Sequence, residues 1–449
     1  MGRGQDDLGG RSPRCTGDRA AARLTDDTIF APSSGRPPAA IAVIRVSGPG
    51  AREAGALLAG DLPEPRHAAV RELRDPATGG LIDQAVVLLF AKPASSTGED
   101  VLEFHCHGGK AVVDAVLAVL ARIDGLRLAQ PGEFTRRAFA HGRIDLTEAE
   151  GLADLLEAET EAQRKAALAL ADGSLKRQIA QWQERVLALS ASAERAIDYG
   201  DDGDDSLDPA LSSDLAILLE ELESWLDRPR LEPLKDGIRI VVAGPPNAGK
   251  SSLINALSGI NRAIVSPLPG TTRDYLDIPM AIGGTYVLLT DTAGLRDAGD
   301  TIEAEGVERA VALIAGADIL LWLGPAVEAP EHQRLVLLHP KADLGPAPDG
   351  SNALTISSKT GAGLADLLDR IASLCGNFLP GEDAIALNRR QAGLLAEAAV
   401  ALREAVSASD LVIIAEELRV VRSAFDRITG RSGVEDLLDA LFARFCLGK

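Results

Sequence analysis

Residues Ile238–Asn255, IRIVVAGPPNAGKSSLIN, decide how this chain is built. Ile238 to Ala243 are β-branched or apolar apart from Arg239, Gly244 to Ser251 spell G-x-x-x-x-G-K-S, and Leu253, Ile254 and Leu257 recur at helical spacing. A buried strand, a glycine loop and a helix start in that order are the context a phosphate-binding loop requires. Backbone N–H groups of Asn247, Ala248, Gly249 and the helix start then converge on phosphate oxygens. The Lys250 ammonium reaches the terminal phosphates, and the hydroxyl of Ser251, followed by Ser252, is a magnesium ligand. The plainer reading is a glycine turn that happens to carry Lys-Ser, but it leaves the ordered strand and helix unexplained.

Segments downstream of the loop bear on the base and the reaction. Leu288 to Thr290 lead into Asp291-Thr292-Ala293-Gly294, where a strand-end Asp holds magnesium through water and a glycine N–H senses the terminal phosphate. Between them lies Gly270-Thr271-Thr272-Arg273-Asp274, whose Thr272 is the switch hydroxyl for the same metal. Lys341-Ala342-Asp343 and Ser357-Ser358-Lys359 follow apolar runs at the places where GTPases read guanine. Asp343 accepts from guanine N1 and N2, which adenine cannot match, and the Lys341 stem covers the ring. Pro340 stands where Asn usually precedes this lysine. Lacking a side-chain amide and a backbone donor, it leaves base selectivity to Asp343 and is expected to reduce affinity. Leu295 stands where many GTPases carry a water-orienting glutamine, and leucine cannot orient water. Asn247, able to offer an oxygen to a monovalent cation, and Glu303 are the candidate replacements. On spacing alone Glu303 also reads as a solvated acid at a helix start.

At 449 residues the chain has room for about three domains. With 46 Lys and Arg against 66 Asp and Glu the net charge is −20, so RNA contact needs a local basic patch or a partner. Cys15, Cys106, Cys375 and Cys446 show no paired spacing, which suits a reducing, cytoplasmic setting. No apolar run reaches the roughly 18 residues of a membrane span; Val311 to Leu323 is broken by Asp318, and no membrane role is expected. Residues 1–24, rich in Gly and Arg but holding Asp6, Asp7 and Asp18, read as a disordered extension.

In chain order, Ala40–Val46, Ala85–Phe90 and Val101–His105 read as strands, with helices over Ala51–Leu58 and from Gly108-Gly109 to Ile123. His105, Cys106 and His107 lack a third ligand at useful spacing, so zinc is not expected. Arg45, inside an apolar strand, needs Glu103 or another acid, or else faces an anionic ligand. Pro131 to Ala138 start a helix. Long amphipathic helices come next, on Leu152, Leu155, Leu156, Leu168, Leu175, Ile179, Trp182, Val186 and Leu189. After the acidic loop Asp201–Asp205 come a helix over Leu211–Leu226 and a linker over Asp227–Asp236. Helices resume from Asn388 to Ala443, with Leu394, Leu395, Ala398, Leu402, Leu418, Val421 and Phe425 on apolar faces. Helices on both sides of a self-contained α/β unit imply a helical domain interrupted by an insertion. The end, Arg444 to Lys449, reads as a flexible tail, although an apolar helix running straight into Cys-Leu-Gly-Lys makes an odd one. The expected organisation is multidomain: an extension over 1–24, an α+β N-terminal domain over 25–140, an all-α domain in two parts, 141–234 and 379–449, and an inserted α/β P-loop domain over 235–378.

Together, Ser96-Thr97-Gly98-Glu99-Asp100 followed by His107-Gly108-Gly109, Pro131-Gly132-Glu133-Phe134-Thr135, Gly244 to Ser252, Gly270 to Asp274, Asp291 to Arg296 and the terminal Phe445-Cys446-Leu447-Gly448-Lys449 resemble the tRNA modification GTPases of the MnmE, or TrmE, family. The likeness runs over nearly the whole chain from about Asp27. It implies an N-terminal domain that dimerises and binds 5-formyltetrahydrofolate or methylene-tetrahydrofolate, a helical domain, and a G domain inserted into it. By this resemblance Arg45, Glu103, Arg143 and Lys449 fall where the family holds folate, and Cys446 where a thiol near that pocket is considered functional. Asn247, Ser266, Leu268 and Thr271 match potassium positions, Ser266 and Leu268 through backbone carbonyls. Ser251 and Thr272 match the magnesium ligands, and Glu303 matches the acid that orients the attacking water. The implied function is a potassium-activated GTPase working as a homodimer with the flavoprotein MnmG, in a heterotetramer. The pair adds a carboxymethylaminomethyl or aminomethyl group to C5 of the wobble uridine of certain tRNAs, folate being the one-carbon source. The competing reading is a ribosome-assembly or regulatory GTPase of the Era type, which would ignore folate, and a third is a GTP-binding scaffold without turnover.

Overall fold

Thr28–Pro32 (β1) and Ile41–Ser47 (β2) pair antiparallel, and alternation along β2 turns Ala42, Ile44 and Val46 to one face and Val43 and Arg45 to the other. With Ala69–Arg74 (β3), Leu81–Phe90 (β4), Val101–His107 (β5) and Leu126–Leu128 (β6) they form a six-stranded sheet in the order β3-β4-β5-β2-β1-β6. Only the β1–β6 pairing in it is parallel. Helices Ala51–Ala59 (α1) and Lys110–Leu120 (α2) close one face over a core that includes Ile44, Val46, Leu58, Leu102, Phe104 and Val116. The other face carries Glu133–Ala140 (α3), whose Phe134 is buried with Ile29, Ala31 and Ala129.

The structure is a computed structural model that describes residues 27–199, 209–260, 277–292, 311–345, 352–379, 385–432 and 435–448. The expected extension over 1–24 and the acidic loop lie outside them. Contacts divide the chain into two compact units, Met1–Ala149 with Gly433–Lys449, and Glu150–Ser432. This splits the expected segment 379–449. The reason is aromatic: from the helix Glu435–Ala443 and the turn after it, Phe442 meets Phe139 of α3 at 6.4 Å and Phe445 at 6.2 Å between ring centroids. Gly132, at φ 72°, lies so near the Phe442 carbonyl that an added Cβ would sit 2.3 Å from it. Nor is the end a free tail. Gly448, at φ 92°, packs where a Cβ would lie 2.0 Å from the Pro32 carbonyl, and its own carbonyl accepts a hydrogen bond from Ser33 Oγ at 2.9 Å.

In the second unit Leu146–Glu157 (α4), which begins in the first unit, Glu161–Ala171 (α5), Ser174–Tyr199 (α6) and Pro209–Leu226 (α7) precede a second sheet, and Arg389–Ser407 and Leu411–Thr429 come after it. One hydrophobic core draws on both sides: Leu175, Ile179, Trp182, Val186, Leu218 and Leu222 pack with Leu395, Ala398, Leu402, Leu418, Val421 and Phe425. Trp182 stacks on Phe425 at 5.8 Å and meets Trp225 edge-on at 5.1 Å. Two expected core positions fail: Leu156 and Leu168 are exposed. Helix α4 instead buries Ala149, Gly151, Ala153 and the carboxylates of Glu150 and Asp154, because its backbone approaches α5 so closely that a Cβ on Gly151 would lie 2.5 Å from the Ala171 nitrogen. The linker is also not featureless, since Glu232–Lys235 (α8) forms a single helical turn with Leu231 and Leu234 buried.

The second sheet runs in the order β12-β11-β10-β7-β9-β8, from Ile238–Ala243 (β7), Asp277–Ile282 (β8), Thr285–Asp291 (β9), Ile319–Leu323 (β10), Leu335–His339 (β11) and Leu354–Thr355 (β12). Strand β7 is parallel to β9 and β10 on either side, so its two faces are both buried and it reads as a continuous apolar run.

Candidate functional site

The loop after β7 is shaped by two glycines. Gly244 has φ 151° and sits where a Cβ would lie 2.5 Å from the Leu323 carbonyl at the end of β10; Gly249 has φ 97° just before Lys250–Ile260 (α9). Neither position accepts a side chain without strain. Lys250 is buried and its Nζ donates to the carbonyls of Gly244 and Pro245, each at 3.0 Å. Ser251 Oγ donates to Asp291 Oδ2 at 2.7 Å. This hydroxyl and carboxylate, adjacent at the mouth of the loop, are the hard oxygen donors that suit magnesium. Thr292 donates back to the Val242 carbonyl at 3.0 Å, tying the end of β9 to β7. Asn247 is exposed in the left-handed region at φ 62°, beside half-buried Ala248 and Gly249, and Ser252 is exposed on the first turn of α9.

The base-reading segments converge on the same end of the sheet. Lys341, also at φ 62°, extends its Nζ to the Asn247 carbonyl at 2.9 Å, and the Ala342 N–H donates to the Ile356 carbonyl at 3.0 Å. Ser357 is fully buried and its hydroxyl donates to Asp343 Oδ1 at 2.7 Å. That bond is the largest influence holding the Asp343 carboxyl below its ordinary value, so it stays an acceptor for ring N–H groups. Ser358 is half-buried and Lys359 exposed on the adjoining turn. Pro340 ends β11 and leaves the base edge beside Lys341 without an amide. Ser266, Leu268, Gly270, Thr271, Thr272, Ala293, Gly294, Glu303 and Lys449 lie outside the described residues.

On the sheet of the first unit Arg45 finds the acid its position demanded. Its Nε and an Nη contact Glu103 Oε1 at 2.9 and 2.8 Å, directly across the β2–β5 pairing, and the guanidinium lies 5.6 Å from the centroid of the Phe134 ring. His105 Nε2 lies 3.2 Å from Glu103 Oε2, while His107 Nδ1 bonds Asp83 Oδ1 at 2.7 Å. A half-buried cation and carboxylate beside an aromatic ring suit a flat, polar heterocycle such as a pterin. Arg143 is exposed, its stem beside Gly98, and Cys446 is an exposed free thiol.

Reading the sequence missed a buried ion network under that face. Arg137, 1% exposed, is met by Asp27 Oδ1 at 2.6 Å, Glu99 Oε1 at 3.0 Å and Glu133 Oε1 at 3.3 Å. Arg127 pairs with Asp27 and Glu133 as well, and Glu99 also accepts from Ser47 Oγ at 2.7 Å. Burial pushes the Asp27 and Glu133 carboxyls up, but the hydrogen bonds and charges of Arg127 and Arg137, with the Gln130 N–H on Glu133, outweigh it and hold both below their ordinary values. The available signal was Glu133 and Arg137 four residues apart at a helix start, with the acids of Gly98-Glu99-Asp100 upstream.

Comparison with known proteins bears on both sites. A family model described as the MnmE helical domain matches residues 146–446, and one described as the GTP-binding protein TrmE N-terminus matches 28–143. The chain is 53% identical over 425 residues to the tRNA modification GTPase MnmE of Erythrobacter litoralis, covering 94% of this chain and all of that one. It is 48% identical over 433 residues to the protein of the same name from Zymomonas mobilis, with 94% and 100% covered. A solved structure, the G domain of the T. maritima FeoB iron transporter, is 25% identical and covers 30% of this chain and 98% of that one, at a TM-score of 0.22.

Substitutions at the ion network and at the base site have distinct expected outcomes. Arg137→Ala leaves three carboxylates facing one another without their buried cation, and is expected to destabilise the first unit by about 3–5 kcal/mol in denaturant titration. Because Asp27 and Glu133 titrate lower in the folded chain than their reference values of 3.8 and 4.5, their contribution is complete above those values and is lost as pH falls below them; the parent melting temperature should drop across that window and the Arg137→Ala melting temperature much less. Asp343→Asn should shift preference from guanosine toward xanthosine triphosphate, and competition binding with both nucleotides measures it.

Proposed function

Because the chain belongs to the MnmE family of tRNA modification GTPases, we propose that it is the potassium-activated GTPase of a wobble-uridine modifying pair. It is a GTP hydrolase acting in tRNA modification. In the proposed reading it works as a homodimer and with the flavoprotein MnmG, which contributes FAD and NADH chemistry. The product is a carboxymethylaminomethyl or aminomethyl group at C5 of the wobble uridine of certain tRNAs. One observation carries the reading: the 53% identity spans 94% of the chain and so covers both the phosphate loop and the Arg45–Glu103 face. An assembly GTPase of the Era type has no use for the second.

At the nucleotide, Asn247 to Ser252 cradle the phosphates, Lys250 leaves its loop carbonyls for the terminal phosphates, and Gly270, Ala293 and Gly294 complete the cradle. Thr292 fixes the strand end, and Lys341, Asp343, Ser357, Ser358 and Lys359 hold the base. Ser251 and Thr272 would hold magnesium, and Asn247, Ser266, Leu268 and Thr271 potassium; when bound, the two ions neutralise charge that develops on the phosphates. Glu303 takes over the orientation of water that Leu295 cannot perform. On the first unit Arg45, Glu103, Arg143 and Lys449 would hold the folate, which supplies the one-carbon unit when bound, with Cys446 close by. The reading also treats 25–140 as the folate and dimerisation domain and 235–378 as a G domain inserted between helical segments 141–234 and 379 onward. The helical core shared across the sheet and a hydrogen bond from the Leu231 N–H to the Leu387 carbonyl, 3.1 Å, support that insertion. A cytoplasmic location belongs to the same proposal; among the described residues no helix is long and apolar enough to cross a membrane.

Nucleoside analysis of tRNA from cells lacking the chain tests the reading. The C5-modified wobble uridine should vanish, and return with the parent gene. Arg45→Ala should hydrolyse GTP at the parental rate in purified form, lose 5-formyltetrahydrofolate retention and fail to restore the nucleoside. Glu303→Ala should bind GTP yet hydrolyse it about 10²-fold more slowly. Intact modification in the deletion strain would overturn the assignment.

A further inference from the structure

The base loop and the phosphate loop are joined by a side chain whose two ends are both conformationally constrained. Lys341 Nζ donates to the Asn247 carbonyl at 2.9 Å, and each residue sits at φ 62°. A non-glycine residue in the left-handed region costs on the order of 1–3 kcal/mol and persists where its surroundings fix it. At Asn247 those surroundings are the Lys341 ammonium on its carbonyl and the turn closed by the Ala248 N–H on the Pro245 carbonyl at 3.3 Å. Holding the carbonyl fixes the peptide plane, and the plane with φ fixes the direction in which the Asn247 side chain leaves the backbone. Pro340, with neither amide side chain nor N–H, has nothing to reinforce the tie.

We propose that Lys341, besides covering the guanine ring, is the positioning residue for Asn247 as a monovalent-cation ligand, so that occupancy of the base site and of the cation site are coupled through this one bond. The inference rests on the potassium reading proposed for this site. A lysine stem clamped over a bound base has fewer rotamers to lose, so its ammonium stays on the Asn247 carbonyl and the amide stays aimed. With the base site vacant the stem is released and the aim relaxes. Coupling of this kind is reciprocal, and cation binding should in turn tighten the base loop.

The test reads complex formation and not turnover. Parent, Lys341→Met and Lys341→Arg proteins are each saturated with fluorescent mant-GDP and aluminium fluoride, a planar mimic of the transferred phosphoryl group, and titrated with potassium chloride at constant ionic strength. Saturation removes the loss of base affinity from the comparison. In Lys341→Met the half-saturating potassium concentration should rise about fivefold or more, the lower end of ordinary coupling, and Lys341→Arg should recover most of the difference. An unchanged potassium midpoint in Lys341→Met, with weaker nucleotide binding alone, overturns the coupling and leaves the potassium reading standing. A parent that forms the complex equally well in sodium refutes the potassium reading itself, and the coupling with it.

Discussion

The packing of Trp182 against Phe425 is the constraint on which the second unit depends. These rings stack at 5.8 Å although the whole nucleotide sheet lies between them in sequence. Neither helical half can bury its apolar stripe alone, so the chain must leave the helices, build a sheet and return to the place it left. The Leu231–Leu387 backbone bond marks that crossing, and polar contacts reinforce it: Lys235 reaches Asp154 at 2.5 Å, and Gln163 Nε2 donates to the Leu234 carbonyl at 2.8 Å. Strand β7 starts three residues after Lys235, so the base of the phosphate loop is anchored in the helical core.

Charge is managed differently in the two units. In the first, buried Arg137 and its three acids join the start of β1, the loop before β5 and α3, so the geometry under Arg45 is fixed by ion pairs whose separation would be costly. In the second, Arg390 makes a bidentate pair with Glu150 at 2.8 and 2.9 Å and donates to the carbonyls of Arg427 and Ile428 at the end of the last long helix. Fully buried Gln391 donates to the same Glu150 and closes a capping box with Asn388. Cationic side chains that span elements hold the skeleton of a strongly acidic chain.

The sequence was legible where one force dominated. A parallel strand buried on both faces, a glycine loop and an apolar helix face announce β7 and α9, and Arg45 in an apolar strand announced the need for an acid, which is Glu103. Edge strand β3 was not legible, because only Leu73 is buried along it and Arg71, Glu72 and Arg74 give it the look of a loop. The face of α4 was misread for the opposite reason: leucines suggested the buried side, but a close helix contact selected glycine and alanine, and two buried acids there have cations supplied from distant sequence. The Arg137 network was invisible since its partners, Asp27, Glu99 and Glu133, come together only in the folded sheet.

The lock between Gly448 and Pro32 bears on the order in which the protein is made. On the ribosome, β1 and the rest of the first sheet emerge early, yet the aromatic cover from Phe442 and Phe445 and the glycine that docks on Pro32 are translated after every residue of the second unit. The nascent first unit therefore carries an unfinished face through the synthesis of the rest, an opportunity for chaperones and a period of exposure to proteases.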